Sequence, residues 1–503
     1  MTQLCGGLMV CGTGSDSGKS TLVAGLCRLL ARRGLRVAPF KAQNMSLNSA
    51  ITASGHEIGR AQAAQAAAGG VPAEAAMNPI LLKPTDDRTS QVIVDGRVWR
   101  TLDARSYQDA KEELWPLVMA RLEDLRSRFD AVICEGAGSP AEINLLEHDI
   151  TNLRIAREAN FASILVGDID RGGVFASLYG TVSILPEHLA KTIAGFVINK
   201  FRGDPSILAE GLAELERLTG RRTLGVIPWI GGIDIDAEDS LALRSRTEGA
   251  RPTGGNSGMA PLDVAVISLP RISNFTDIEA LRIEPAVRVR FVESPGALGV
   301  PHLVILPGSK ATVADLEWLR AIGLAEAIAA LDATTTVLGI CGGYQMLGLR
   351  IVDEVESRGG ADVEGLGLLE VATTFEASKV TRLVTGHALG RRVTGYEIHH
   401  GHSGPATTIS ATRAWIDTDY GPEGARNSTG AVFGTAVHGL FEEDEFRRAF
   451  LADVAVRAGT AWDPGQKVSF SSAREARFDT VADAIEANVD ISAIMDLIDG
   501  ARR

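Results

Sequence analysis

The chain has 503 residues, and its 50 basic and 63 acidic side chains give a formal net charge of −13. At roughly 100 to 200 residues per domain, this length predicts two or three domains, each with its own core. A composition of 45% apolar and 22% charged residues excludes a largely disordered chain. The acidic balance disfavours a nucleic-acid partner, whose phosphates call for a basic face.

The sequence also carries no sign of a membrane or secreted protein. No apolar run reaches the roughly 20 residues that span a bilayer, and the N-terminal segment lacks the pattern of a signal peptide. The cysteines have neither paired metal-ligand spacing nor the density of a disulfide framework. They are Cys5, Cys11, Cys27, Cys134 and Cys341. We therefore expect a cytoplasmic protein without a membrane partner.

In the first half, short apolar runs alternate with longer amphipathic segments. The first amphipathic segment, Thr21 to Arg33, has leucines at helical spacing and stops at Gly34. This alternation predicts a doubly wound α/β domain with a parallel sheet. The predicted buried strands are Leu8 to Cys11, Val37 to Phe40, Ala131 to Cys134, Ser163 to Val166, Ala194 to Ile198 and Leu224 to Ile227.

A glycine- and proline-rich stretch at 245–261 predicts a linker between a first domain at 1–244 and a second α/β domain at 262–460. Antiparallel strands are expected within Leu366 to Arg392, and a tail at 461–503 carries one predicted helix, Arg477 to Val489. The predicted buried strands of the second domain are Val264 to Leu269, Val287 to Val292, Leu303 to Leu306, Val337 to Ile340 and Ala431 to Val437.

A phosphate-binding loop follows the first predicted strand. The phrase Gly12-Thr-Gly-Ser-Asp-Ser-Gly-Lys-Ser-Thr21 places backbone N–H groups at a helix start, where they can hold phosphate oxygens. Lys19 can reach the terminal phosphates, and the Ser20 hydroxyl can bind Mg²⁺. One glycine lies a residue earlier than in the common pattern, and this variant resembles the loop of dethiobiotin synthetase. The predicted ATP-binding residues are Thr13, Gly14, Ser17, Gly18, Lys19, Ser20 and Thr21.

Carboxylates at strand ends are candidates for the magnesium site. Glu135 follows the strand Ala131 to Cys134, so it points toward the edge where such sheets bind ligands. With Ser20 it forms the predicted metal-binding pair. Asp168 and Asp170 also follow a strand, and the sequence leaves metal, substrate and structural roles open for them.

A second reactive site is predicted around Cys341. In Gly339-Ile-Cys-Gly-Gly-Tyr-Gln345 the cysteine sits on a sharp turn between a strand and a helix, where it would be an exposed nucleophile. His438 ends another buried strand and is the predicted partner base. The amides of Gly342 and Gly308 are the predicted oxyanion donors.

These motifs resemble a class I glutamine amidotransferase domain. Most such domains have a glutamate two residues after the histidine, but this chain has Leu440, so Glu442 is only a weak candidate for orienting His438. The histidines of the phrase Gly395 to His402 have weak metal-ligand spacing without a carboxylate cluster, and a role between the domains is favoured.

The whole chain closely resembles the glutamine-hydrolysing cobyric acid synthases. The resemblance is carried by these two domains in this order and by five phrases: Phe40 to Asn48, Glu57 to Gln62, Asn78 to Pro84, Asp168 to Phe175 and Asn199 to Asp204. It implies ATP-dependent amidation, with ammonia from glutamine, of the four peripheral b, d, e and g carboxylates of adenosylcobyrinic acid a,c-diamide, in cobalamin biosynthesis.

The implied chemistry assigns further residues to the synthetase site. ATP would convert a substrate carboxylate to an acyl phosphate, with Lys19, Mg²⁺ and Lys41 stabilising the transferred phosphoryl group. Gln43, Asn44 and Asp168 join Lys41 as phosphoryl- or substrate-binding candidates. Ammonia released at Cys341 would displace phosphate, and because ammonia is mostly protonated at neutral pH, a sheltered path between the sites is expected.

Two alternatives stay open at this point. Cobyrinic acid a,c-diamide synthase shares the domain order, although the phrase Gln43 to Asn48 favours the cobyric acid enzyme. A switch ATPase would use the phosphate loop but would leave Cys341 and His438 unexplained. The oligomeric state is not predicted.

Overall fold

The computed structural model describes residues 6–86, 88–232, 260–357, 359–407 and 412–500. It confirms the predicted fold class, two successive α/β units with parallel sheets. The predicted linker at 245–261 lies outside the described residues except for its last two positions. Within the described part of the chain, no helix is long and apolar enough to cross a membrane.

The first domain is built on a six-stranded sheet whose strands are all parallel. Its central strands are mostly apolar and buried because helices cover both faces. All six predicted strands are present, most of them one to three residues longer than predicted. In order across the sheet they are Arg222–Pro228, Ile193–Phe201, Ala162–Asp168, Gly6–Gly12, Ala131–Glu135 and Val37–Phe40.

The helices of this domain follow the strands in the predicted alternation. The first begins at Lys19, two residues before the predicted start, because Gly18 adopts a left-handed φ of 94° that ends the phosphate loop. The α-helices are Lys19–Arg32, Arg60–Ala68, Ala104–Arg128, Leu153–Glu158, Val174–Ile184, Glu187–Ala190 and Ala209–Thr219. Short 3-10 turns lie at Ala75–Met77, Ile143–His148 and Pro205–Leu208.

An insertion between the second strand and the long helix was not predicted as strands. It contains a hairpin, Ser49–Ile51 with Glu57–Gly59, and a small four-stranded sheet. The strands of that sheet are Gln43–Met45, Ile80–Pro84, Thr89–Val94 and Arg97–Asp103. This insertion carries the contacts with the second domain described below.

The second domain has a six-stranded sheet in which the first five strands are parallel and the last is antiparallel. In order these are Val287–Val292, Leu262–Ile267, Leu303–Leu306, Thr336–Ile340, Val432–Thr435 and Ala425–Arg426. The predicted strands are confirmed, except that the run Ala431 to Val437 is divided between two sheets. Its helices and turns are Phe275–Ile278, Glu279–Arg282, Pro295–Leu298, Thr312–Ala321, Leu324–Ala329, Gly342–Leu347, Leu440–Glu442 and Asp444–Arg457.

A second sheet of this domain is dominated by a long antiparallel hairpin, Val371–Ala388 with Arg391–Pro405, which confirms the antiparallel expectation and extends it. The hairpin pairs Tyr396 with His438 and so brings this sheet to the predicted catalytic histidine. The other strands are Arg350–Asp353, Ala361–Glu364, Ile416–Thr418, Gly421–Glu423 and Val437–His438. A two-stranded ladder joins Ile272–Ser273 to Gly308–Ser309.

The tail contains two helices, Phe470–Asn488 and Ile491–Gly500, where the sequence predicted one. Both return to the first domain. Isoleucines of the last helix, 491, 494 and 498, share one apolar face and join the core around the phosphate-loop helix. Arg28 of that helix also forms an ion pair with Asp479 at 2.8 Å.

Candidate active sites

The phosphate loop lies where adjacent parallel strands end together. The strand Gly6–Gly12 is flanked by Ala131–Glu135 and Ala162–Asp168, so the loop emerges beside Glu135 and Asp168. The Thr13 amide continues the ladder by donating to Val166 O at 2.9 Å. Gly14 and Thr21 are partly exposed at the loop and at the helix start.

Polar groups inside the loop are arranged for an anionic ligand. Lys19 is buried, and its ammonium donates to the carbonyl oxygens of Gly14 at 2.9 Å and Gly138 at 3.1 Å. The Ser17 hydroxyl is buried and, within the described residues, has no hydrogen-bond partner. Because a buried hydroxyl without a partner is costly, it fits a site that a phosphate oxygen completes.

Glu135 is the centre of a buried polar cluster. Its Oε1 accepts hydrogen bonds from Ser20 Oγ and Lys41 Nζ, both at 2.8 Å, and its Oε2 accepts one from Gln65 Nε2 at 2.5 Å. Burial raises the pKa of Glu135, but Lys41 and the hydrogen bonds outweigh it and hold the pKa below its usual value. The structure thus brings Ser20, Glu135 and Lys41 together, as predicted, with Glu135 ionised.

Asp168 is connected to the phosphate loop through Lys200. The Lys200 ammonium donates to Asp168 Oδ2 at 2.8 Å and to Asp16 O at 2.6 Å. Asp168 Oδ1 accepts the backbone N–H of Asp170, whose own carboxylate pairs with Arg202. Asp168 therefore lies beside the loop with a lysine between the two, and Asp170 faces away to the surface.

Gln43 and Asn44 are placed differently from the other synthetase candidates. The Gln43 side chain accepts from the Tyr107 hydroxyl at 2.6 Å, and buried Asn44 donates to Gln62 at 2.9 Å. The first of these hydrogen bonds ties the insertion to the long helix Ala104–Arg128 and the second lies within the insertion, so neither is at the phosphate loop. Gln43 and Asn44 stay predictions as substrate residues.

Cys341 occupies the sharp turn that its motif predicts, but the predicted exposure is wrong, because the residue is buried in the wall of a cavity. It has φ 50° and ψ −107°, a strained conformation for a residue with a side chain, between the strand Thr336–Ile340 and the helix Gly342–Leu347. Its amide donates to Thr435 O at 2.7 Å, and its Sγ lies 3.9 Å from Ile398 O. Such a turn is typical of nucleophiles presented at a helix N-terminus.

His438 is oriented by Asp277, a residue that the sequence analysis missed. Asp277 Oδ2 lies 2.7 Å from His438 Nδ1, and its Oδ1 accepts the Gly439 amide at 2.8 Å. Both side chains are almost fully buried. Burial lowers the pKa of His438, but the charge and hydrogen bond of Asp277 outweigh it and raise the pKa to about 10, with a further contribution from Cys341.

The weak candidate Glu442 is wrong as the orienting group. Its carboxylate is partly exposed and binds Arg60 at 2.8 Å, with Arg474 at 3.9 Å. It follows a left-handed Gly439 on a separate 3-10 turn, which carries its side chain away from the imidazole. The described residues therefore form a Cys341–His438–Asp277 constellation, whose side chains are of the types that act as nucleophile, base and orienting group in a catalytic triad. These roles stay predictions.

The predicted oxyanion residues border this constellation. A Cβ added to Gly308 would lie 3.1 Å from His438 Cε1, and one added to Gly342 would lie 2.7 Å from Ser309 N. A side chain at position 342 would clash with the Ser309 backbone, and one at position 308 would be tight against His438, so the Gly308 backbone lies close to the imidazole. Their role as oxyanion donors stays a prediction.

Comparisons with known proteins agree with both halves of this arrangement. The family model described as the CobQ/CobB/MinD/ParA nucleotide binding domain matches residues 8–241, and the CobB/CobQ-like glutamine amidotransferase domain matches 263–446. Cobyric acid synthase of Frankia casuarinae is 51% identical, with 98% of this chain and 97% of the relative covered. That of Mycolicibacterium paratuberculosis is 52% identical, with 99% and 97% covered. The chain belongs to the cobyric acid synthase family.

This cobyric acid synthase family member is thus a glutamine-dependent amidoligase of cobalamin biosynthesis, with a nucleotide-binding domain and a glutamine amidotransferase domain. Among solved structures, one titled as a glutamine amidotransferase is 18% identical, with a TM-score of 0.30, and covers 39% of this chain and 99% of that chain.

The side chains of this synthase fit a magnesium nucleotide. Ser20 and Glu135 present the hard oxygen ligands that Mg²⁺ prefers, and the unpartnered Ser17 hydroxyl with buried Lys19 suits phosphate oxygens. The histidines of the phrase Gly395 to His402 do not form a metal site of this kind. Among the described residues no group of three or more metal-ligating side chains is found. His400 instead lies 3.4 Å from Gln91 of the other domain, which places it at the predicted interface.

A cavity at this interface contains the glutaminase candidates. Cys341 and His438 line it together with Lys310, Glu356 and Lys379 of their own domain and Lys83 of the synthetase domain. We call it the Cys341 cavity. The domains are joined beside it by two reciprocal hydrogen bonds, from Ser49 N to Asn274 Oδ1 at 2.8 Å and from Phe275 N to Asn48 Oδ1 at 3.2 Å. Asn274 Nδ2 in turn lies 3.3 Å from His438 Nε2.

Proposed function

We propose that this chain amidates the b, d, e and g carboxylates of adenosylcobyrinic acid a,c-diamide to give adenosylcobyric acid, with ATP, Mg²⁺ and glutamine. One observation carries the proposal: the Lys19, Ser20 and Glu135 cluster and the Cys341, His438 and Asp277 constellation occur in one chain, in docked domains. Relatives named cobyric acid synthase, which match over nearly the whole chain, support this substrate over cobyrinic acid.

The synthetase half activates a carboxylate. A carboxylate oxygen of the corrinoid attacks the γ-phosphorus of ATP, the bond to the β,γ-bridging oxygen breaks, and ADP leaves with that electron pair. Lys19 and Lys41 place positive charge where negative charge develops on the transferred phosphoryl group. Mg²⁺, held by Ser20 and Glu135, would supply charge neutralisation on the phosphates when bound.

The glutaminase half releases ammonia. The Cys341 sulfur attacks the side-chain amide carbon of glutamine, while Gly308 and Gly342 amides receive the developing oxyanion. His438, protonated and fixed by Asp277, gives its proton to the leaving ammonia, and water then hydrolyses the thioester to glutamate. Ammonia attacks the acyl phosphate, so a C–N bond forms and inorganic phosphate leaves.

The test is an assay of the purified full chain with ATP, Mg²⁺, glutamine and separate corrinoid acids, followed by mass spectrometry. We expect the a,c-diamide to gain four amides, with ADP and glutamate formed in step. The same reaction should run with ammonium salts in place of glutamine. Amidation of cobyrinic acid at two positions, without conversion of the a,c-diamide, would show that the assignment is wrong.

A further inference from the structure

A buried ionic cluster joins the two domains next to the Cys341 cavity. Glu57 of the synthetase domain accepts hydrogen bonds from Lys83 of the same domain at 2.7 Å and from Lys379 of the glutaminase domain at 2.6 Å. The Lys83 ammonium also donates to Ser49 Oγ at 2.8 Å. All three ionic side chains are at most 9% exposed.

The cluster contains one more cation than anions. Burial raises the pKa of Glu57, but the two lysines outweigh it and hold the pKa far below its usual range, so Glu57 is ionised. The neighbouring charges on the cavity wall, Lys310 and Glu356, pair with each other. Burial, together with the charges of Lys83 and Lys310, lowers the pKa of Lys379 to about 8, although Glu57 opposes this shift. At neutral pH the cluster therefore carries close to one excess positive charge in a buried place, which is costly unless an anionic group completes the cluster.

The lysines also have hydrogen-bonding capacity left. An ammonium has three donors. Among the described residues, Lys83 Nζ donates to Ser49 and Glu57, and Lys379 Nζ donates to Glu57. Both lysines line the cavity that holds Cys341 and His438, whereas Glu57 is not among its lining residues. Unused N–H groups of both lysines are thus available at the cavity wall.

Glutamine, the proposed substrate of this cavity, carries a negative charge that would compensate the excess positive charge of the cluster. Glutamine has a carboxylate at the end opposite the amide that Cys341 attacks. We propose that Lys83 and Lys379 together bind the α-carboxylate of glutamine, so that the synthetase domain supplies part of the glutamine site. Glu57 is a positioning residue that holds the two ammonium groups side by side. The inference rests on the proposed role of Cys341.

The test compares the hydrolysis of two substrates, L-glutamine and L-glutaminamide, by the wild-type chain and by two lysine variants. Lys83→Met and Lys379→Met keep the unbranched chain as far as Cε and remove the ammonium group. L-Glutaminamide replaces the α-carboxylate of L-glutamine by a neutral amide. Hydrogen bonds to charged groups are strong enough that we expect kcat/KM for glutamine to fall roughly 10- to 100-fold, mainly through KM. The value for glutaminamide should stay within about threefold, so the preference for glutamine shrinks in the variants.

Arg60→Met is the matched control. Arg60 also pairs with a carboxylate of the other domain, Glu442, but it does not line the cavity. We expect this variant to retain the wild-type preference for glutamine over glutaminamide, and Lys83→Arg to retain most of it.

Two outcomes would overturn the inference. Equal losses for both substrates in the lysine variants would show that the cluster only clamps the domains, and so would the same change of preference in Arg60→Met. These assays measure only the hydrolysis of the side-chain amide, as ammonia release with glutamate from glutamine or with isoglutamine from glutaminamide. A failure of the proposed function would appear separately, as no corrinoid amidation by wild-type protein with ammonium salts.

Discussion

Replacing Asp277 by asparagine tests the constellation at the residue that sequence motifs did not reveal. Asparagine keeps the size of the side chain but removes the negative charge 2.7 Å from His438 Nδ1. Its amide nitrogen can also face the imidazole and favour the wrong tautomer. The variant should fold, because the remaining amide oxygen can still accept the Gly439 N–H.

The size of the effect follows from the environment of His438. Its pKa is raised from the ordinary 6.5 to about 10, with Asp277 as the largest favourable contribution against burial. Since one pKa unit corresponds to about 1.4 kcal/mol, the protonated imidazole is stabilised by roughly 5 kcal/mol. Loss of most of this stabilisation corresponds to a fall of roughly 10³-fold or more in kcat for glutamine hydrolysis.

The raised pKa of His438 also predicts the direction in which the pH dependence of glutamine hydrolysis shifts in Asp277→Asn. Asp277 raises the pKa of His438, so in Asp277→Asn the imidazole loses its proton at a lower pH, and the alkaline limb of glutamine hydrolysis moves toward neutrality. Ammonia-dependent synthesis should stay within about twofold of wild type. Glu442→Gln is the control, with little change in either assay. A tenfold or smaller loss in Asp277→Asn, together with a larger loss in Glu442→Gln, would refute this reasoning.

Three further predictions concern the two sites and their product. Cys341→Ser should abolish glutamine-dependent synthesis and retain synthesis from ammonium salts; full glutamine turnover in this variant would exclude Cys341 as the nucleophile. Lys19→Ala should lower turnover about 10²-fold or more with either nitrogen source, a loss of roughly 2.7 kcal/mol, and unchanged ammonia-dependent synthesis would exclude the loop. Because the described residues contain one phosphate loop and one cysteine elbow, partly amidated corrinoids should be released between turnovers. A mass-spectrometric time course under excess substrate that shows only the finished product would refute release.

The central sheets could be predicted from sequence, whereas the insertion could not. Parallel strands buried on both faces read as continuous apolar runs, so Leu8 to Cys11 and its neighbours were visible. Strands of the insertion such as Gln43–Met45 and Glu57–Gly59 are only three residues long and contain polar residues. They are therefore too short to show the hydrophobic pattern that indicates a strand. Their conformation depends on contacts with the long helix and with the second domain, such as the hydrogen bonds of Gln43 with Tyr107 and of Ser49 with Asn274.

Local motifs located both candidate sites but not the partner of His438. The phosphate loop and the Cys341 turn are each encoded in fewer than a dozen consecutive residues. Asp277 lies 161 positions before His438, on a 3-10 turn, so the motif around the histidine contains no trace of it. The rule that selected Glu135, a carboxylate directly after a strand, would not have selected Asp277, which lies ten residues beyond the strand Leu262–Ile267.

The segment from Lys41 to Ser49 explains how the two sites keep a fixed relation. At one end Lys41 binds Glu135 beside the phosphate loop, and at the other Asn48 and Ser49 bind the backbone and side chain of the Asn274 turn. The chain continues from Asn274 into Asp277, and these two residues contact the two ring nitrogens of His438. Closely packed, hydrogen-bonded segments have few alternative arrangements. Ammonia is mostly protonated once it reaches water at neutral pH, so the sheltered transfer between the domains that we expect would require a fixed geometry. The hydrogen bonds at both ends of this nine-residue segment would favour such a geometry.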